Sequence, residues 1–152
     1  NPGSYPVYSS SSVGNGEIGR CGSFMFEDER ITWSVDGGGK LFYRPKHRYS
    51  VTNVSGWLKV QSPDLDTRFV FHSLYFQWEN EVFDYTRKAH PSVIRDIYKI
   101  PLPPISVQKQ IADDLEIFTN YIENLKRERE LRQKQYEGLR EQLLSFPKKE
   151  SV

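Results

Sequence analysis

From Ile111 to Phe146 the side chains at alternating steps of four and three residues are large and mostly apolar, and this stripe constrains the chain more than any other feature. Its positions are Ile111, Leu115, Phe118, Ile122, Leu125, Arg129, Arg132, Tyr136, Leu139, Leu143 and Phe146. They keep one heptad frame, the pattern of a coiled-coil seam, and only Arg129 and Arg132 depart from it chemically. Pro103-Pro104 stops whatever precedes, and Ser106 stands where an N-cap is expected. A helix over 107–146 has 40 residues, which at 1.5 Å per residue is about 60 Å. The residues upstream cannot cover such a length, so the stripe requires another helix. An antiparallel dimer through it is expected, with the two Arg in the middle setting its register. Gly138 weakens the helix by about 1 kcal/mol, and Pro147 ends it.

Upstream the composition changes. Residues 1–104 hold every Gly except Gly138 and every Pro except Pro147. Helical periodicity is mostly absent there, and short apolar stretches alternate with turns. Strands are expected at 5–8, 31–35, 41–43, 49–54 and 57–60. The Asp36-Gly37-Gly38-Gly39 break between the second and third predicts a hairpin. One helix is expected over 64–78, with Leu65, Phe69, Leu74 and Trp78 on one side. The fold class that follows is α+β: a small β-rich domain and then one long C-terminal coiled-coil helix. The boundaries expected are 1–105 for the domain, 106–147 for the helix and 148–152 for a tail.

Charge narrows the function. Lys and Arg number 21 against 20 Asp and Glu, a formal net charge of +1, which excludes a polybasic coat for nucleic acid. Any such surface must be local. Residues 37–63 carry Lys40, Arg44, Lys46, His47, Arg48 and Lys59 with no acid among them. That run reads either as a phosphate-binding surface or as a solvated strand face. A single Cys excludes a disulfide framework and a Cys-rich zinc site. There is no apolar run of about 18 residues and no opening signal peptide, so no membrane partner is expected.

Enzyme signatures are sparse. Gly14-Asn15-Gly16-Glu17-Ile18-Gly19 matches the spacing of the dinucleotide fingerprint. That fingerprint needs a buried strand before it and a helix opening at its last glycine. Here four serines precede it and Arg20-Cys21-Gly22-Ser23 follows, so a flexible polar loop is the expected structure. His47, His72, His90 and Cys21 lack the spacing of zinc-ligand pairs. No catalytic residue and no metal ligand is expected. Two rival readings stay open: an oligomerisation module whose β-rich half binds protein, and a small nucleotide-binding enzyme using the 14–19 loop.

Three segments carry a family resemblance: ITWSVDGGGKLFYRPKHRYSVTN (31–53), IPLPPISVQKQIADDL (100–115) and LRQKQYEGLREQLLSF (131–146). With the opening Tyr5-Pro6-Val7-Tyr8-Ser9-Ser10, the chain resembles the specificity subunit of type I restriction–modification systems. The resemblance implies a target recognition domain that reads one half of a split site in double-stranded DNA. It implies a conserved helix that spaces such domains and docks methyltransferase (modification) subunits, and a restriction subunit as further partner. S-adenosylmethionine, ATP and Mg would belong to the partner subunits and none to this chain, and the setting would be the cytoplasm of a bacterium or archaeon. With one recognition domain and one helix, the chain reads as a half-subunit that pairs with itself or as a fragment of a full subunit. The residues expected to face DNA are Ser10, Ser11, Gly14, Asn15 and Arg20 in the loop, Asp36, Gly37, Gly38 and Lys40 at the turn, and Arg44, Lys46, His47 and Arg48 on a basic strand. Arg suits guanine and Asn15 suits adenine.

Overall fold

The computed structural model describes residues 3–9, 14–36, 40–84 and 86–146. The chain divides into two compact units, Asn1–Ala112 and Asp113–Val152. Among the described residues no helix is long and apolar enough to cross a membrane.

The first unit holds two three-stranded sheets. β1 (Tyr5–Tyr8) pairs antiparallel with β2 (Glu17–Cys21), and it pairs in parallel with β5 (Ser50–Val51). β3 (Arg30–Ser34) is the centre of the other sheet, antiparallel to β4 (Leu41–Arg44) and β6 (Ser55–Leu58). The β3–β4 pairing is the hairpin that Asp-Gly predicts, with Trp33 opposite Leu41. Its tip, including Gly37 and Gly38, lies outside the described residues, as do Ser10, Ser11, Pro147 and the tail 148–152.

All five residues of β3 are buried. Successive side chains on a strand point to opposite faces, so both faces are covered. Ile31 and Trp33 join Leu41, Val70, Leu74, Trp78, Phe83, Ala89 and Ile94 in the main core. The helices behind that face are α1 (Thr67–Trp78) and α2 (Pro91–Ile97). The Trp33 indole N–H donates to the Ala89 carbonyl at 2.7 Å, which satisfies the one polar atom of a buried Trp. Gly56 sits opposite Trp33 in the ladder, and a Cβ there would fall on the indole ring. Glycine is therefore required at that crossing. The opposite face of β3 meets a smaller core of Tyr8, Tyr49 and Val51 with Phe26 beside it.

Several expected bounds shift for local reasons. α1 begins at Thr67 rather than 64, because the Asp66 carboxylate accepts from the backbone N–H groups of Arg68 and Phe69 at 3.0 and 3.1 Å, the geometry of an N-cap. The strand expected over 49–54 shortens to β5, since Tyr49 makes only an isolated bridge to Phe26 and residues 53–54 turn. The one over 57–60 moves back to β6, in register with β3. Residues 14–19 are not all loop, since 17–19 belong to β2. Gly14 and Gly16 have φ of +57° and +79°, which lets the chain turn and enter β2. No helix opens there, so the fingerprint's glycines are hairpin glycines. α2 lies where no helix was expected.

The long helix, α3 (Ile105–Leu144), has 40 residues. Ser106 lies within its first turn instead of capping it. The Pro104 carbonyl accepts from the N–H groups of Val107 and Gln108 at 2.9 and 3.1 Å, so the helix starts directly behind the proline pair. Gln108 and Ala112 are buried in the first unit. The helix ends two residues before Phe146. A residue preceding proline is disfavoured in the α region, and Phe146 precedes Pro147.

In the second unit the helix is exposed along its length. Leu115, Phe118, Ile122, Leu125, Tyr136, Leu139 and Leu143 are between 40% and 72% exposed. Arg132 pairs with Glu128 one turn away at 2.7 Å, so its charge is met within its own helix.

Candidate nucleic-acid interface

Two hydrogen bonds tie the described residues of the β1–β2 connection, 9 and 14–17. The Ser9 N–H donates to the Gly16 carbonyl at 3.0 Å, and the Asn15 side-chain oxygen accepts from the Glu17 N–H at 3.0 Å. This is an Asx turn. With its oxygen engaged, the Asn15 amide is oriented by the backbone. Arg20, on β2, is half-exposed but held by the Glu17 carboxylate at 2.9 Å and the Ser4 carbonyl at 3.2 Å.

The residues expected as a basic strand separate into different roles. β4 ends at Arg44, and Pro45 breaks the ladder. Arg44 is 4% exposed. Its Nε donates to the Thr32 hydroxyl at 3.0 Å and its Nη1 to the Asn15 carbonyl at 2.7 Å. Its guanidinium lies over the rings of Tyr8 and Phe42. It is an internal strut and presents nothing to a phosphate. Burial lowers its pKa from the ordinary value.

His47 is likewise engaged on both nitrogens. Nδ1 lies 2.6 Å from the Pro45 carbonyl and Nε2 3.1 Å from the Tyr8 hydroxyl. A carbonyl only accepts, so Nδ1 carries a hydrogen and donates it to Pro45. The ring stacks on Tyr49 at 4.6 Å. Burial pushes the Tyr49 phenol up to about 12.

The remaining cations divide by whether an acid meets them. Arg48 lies 3.6 Å from Glu27 and caps the Phe24 ring. Lys59 meets Asp28 at 2.7 Å. Arg30 binds the same Asp28 and lies across Phe26 and Trp57. Hydrogen bonding from Arg30, assisted by Lys59, holds the Asp28 carboxyl down to about 2. Lys40 and Lys46 are exposed and have no carboxylate partner among the described residues. Asp36 pairs with Lys88 at 2.8 Å.

Two groupings result. Gly14, Asn15, Arg44 and Lys46 lie toward one end of β4. Asp36 and Lys40 lie toward the other, about 13 Å away along an extended strand of four residues. The sequence reading missed the compensating acids. The run Glu27-Asp28-Glu29 lies just upstream of the acid-free window that starts at residue 37. β3 carries it back beside the basic residues, and a wider window would have shown it. The half-exposed Trp57, 46% open, was read as a strand residue and not as a surface one.

A family model described as the type I restriction modification DNA specificity domain matches residues 1–133. The type I restriction enzyme MpnII specificity subunit of Mycoplasma pneumoniae is 32% identical over 143 residues, 89% of this chain and 42% of that protein. Two other proteins of the same organism, with provisional type I specificity subunit names, are 33% identical over 148 residues and 31% identical over 157. They align with 95% and 98% of this chain, and with 40% and 65% of their own lengths. The chain thus spans about half the length of the curated relatives it matches. No solved structure matches it significantly.

Proposed function

The chain belongs to the type I restriction modification DNA specificity domain family, and from that premise we propose that it is the sequence-reading part of a type I restriction–modification enzyme. Its first unit reads one half of a split site in double-stranded DNA. The Asn15 turn faces base edges, and Lys40 and Lys46 engage phosphates. Its helix packs against a second helix of the same kind, on another copy of this chain or on the other half of a longer subunit. That pairing covers the stripe from Ile111 to Leu143 and spaces two recognition domains. The methyltransferase and restriction subunits dock on the assembly. Methyl transfer from S-adenosylmethionine and the ATP- and Mg-dependent steps take place on those partners. The chain positions them and breaks no bond itself, in the cytoplasm where the DNA lies.

The observation that carries this reading is that the family match runs without a break from the β-rich unit into α3, through residue 133. It covers both the part that would read and the part that would space. The test is base-by-base mapping of methylation in cells producing the methyltransferase subunit with and without this chain. The expected result is a split motif methylated only when the chain is present. Methylation with no recurring motif, or one that does not depend on the chain, contradicts it.

A further inference from the structure

Arg44 is the most basic-looking candidate of the interface and the least available to DNA. At 4% exposure it lies closed in by Tyr8 and Phe42, whose ring centres are 3.6 and 4.5 Å from its guanidinium carbon. No carboxylate meets it among the described residues, and its Nη2 is buried without a hydrogen-bond partner. A buried, incompletely satisfied cation destabilises a fold. What holds it in place is its pair of hydrogen bonds, to Thr32 and Asn15, and its contacts with the Tyr8 and Phe42 rings.

The geometry connects elements of the two sheets. From β4, Nε reaches the Thr32 hydroxyl on β3, in one sheet. Nη1 reaches the Asn15 carbonyl at the β1–β2 turn, in the other sheet. Gly16 lies so close to the same guanidinium that a Cβ would meet Nη2 at 3.2 Å and the Phe42 ring at 3.4 Å. The turn therefore packs against Arg44, and Gly16, at φ +79°, leaves room for that close approach. Only a planar fork of several N–H groups makes both bonds at once. A lysine ammonium keeps the charge and loses the bridge.

We propose that Arg44 is a positioning residue for DNA recognition, fixing the Asn15 turn against the β3–β4 sheet so that the Asn15 amide meets base edges in one register. This rests on the reading of the chain as a DNA specificity module. Arg44 acts through the turn and touches no phosphate.

The test uses the full chain assembled with its methyltransferase subunit. The probes are a duplex carrying the methylated motif and a scrambled duplex. Affinities for both are measured over a range of salt for wild type, Arg44→Lys and Arg44→Met. Both variants are expected to lower discrimination between the duplexes about tenfold or more, the scale of one lost base reading. The salt slope stays at the wild-type value. In an Asn15→Ala background, Arg44→Met is expected to lower discrimination no further. A phosphate contact would give the opposite pattern: both duplexes weaken equally, the slope falls by about 0.9, and Arg44→Lys restores binding. That pattern overturns the proposal, and so do additive losses in the Asn15→Ala background. Should both Arg44 variants fail to fold, Thr32→Val removes the hydroxyl that Nε binds and releases the strut from β3. Unchanged discrimination in that variant overturns the proposal as well, and a loss at constant slope supports it. A wild-type complex that does not discriminate at all refutes the DNA-reading function itself, a result distinct from any of these.

Discussion

The Gln108 side-chain oxygen accepts from the Asp66 backbone N–H at 3.0 Å, which ties the first turn of α3 to the cap of α1. The same amide donates to the Asp64 and Pro103 carbonyls, each at 2.8 Å. Gln108 has no exposed surface. One side chain thus satisfies three backbone groups that the proline entry and the α1 cap leave open.

Gln108→Leu strands those three groups in a buried place. Leaving a buried polar group unmet costs about 1–3 kcal/mol, so urea unfolding of the first unit is expected to show a loss of at least about 2 kcal/mol. Gln108→Glu keeps the acceptor, loses both donors and is expected to be equally damaging. A loss below about 0.5 kcal/mol would show that water replaces the amide.

Acid should weaken the fold through Asp28. Its folded pKa is lowered to about 2 from an ordinary 3.8, so its contribution is fully present above about pH 4 and disappears as the pH falls toward 2. The contribution is at most about 2 kcal/mol, and water reaching the carboxylate reduces it. Asp28→Asn is expected to lower stability at pH 7 and to flatten the pH dependence between 4 and 2. An unchanged acid profile in that variant would contradict the Arg30–Asp28–Lys59 arrangement.

Two glycines should respond in opposite directions. Gly56→Ala drives a methyl onto the Trp33 indole and is expected to lower the Tm sharply, in line with the roughly 1–3 kcal/mol of overpacking. Gly138→Ala meets open space on a helix and is expected to stabilise α3 by about 1 kcal/mol. Calorimetry of the two variants decides both.

Among the described residues Lys40 and Lys46 are the exposed cations of the basic segment without acid partners, so the salt dependence of DNA binding should fall on them. Each replaced by Ala is expected to reduce the slope of log affinity against log salt by about 0.9. Replacing Lys59, which Asp28 already meets, should leave the slope close to wild type. Equal effects at all three positions would mean that the ion pairs open on DNA.

The long helix and the β3–β4 hairpin were legible because their signals are local: a heptad frame and an Asp-Gly turn. β2 was not, since Glu17, Gly19 and Arg20 carry no alternation, and the strand exists because β1 supplies its partner. α2 has seven residues, too few for a helical period to show. In the candidate site, Asn15 and Lys46 could be picked from composition. The burial of Arg44 could not, because it depends on Tyr8 and Asn15, which are distant in sequence and meet it only when the two sheets come together.

The central claim is that the first unit determines which DNA is marked. Residues 1–104 can be exchanged for the aligned residues of the Mycoplasma pneumoniae MpnII specificity subunit, leaving α3 in place, and the methylated motif mapped in cells producing the methyltransferase subunit. The account predicts that one half of the motif changes with the exchanged residues while the other half remains. A motif that stays whole after the exchange, with the protein folded and methylation active, would contradict it.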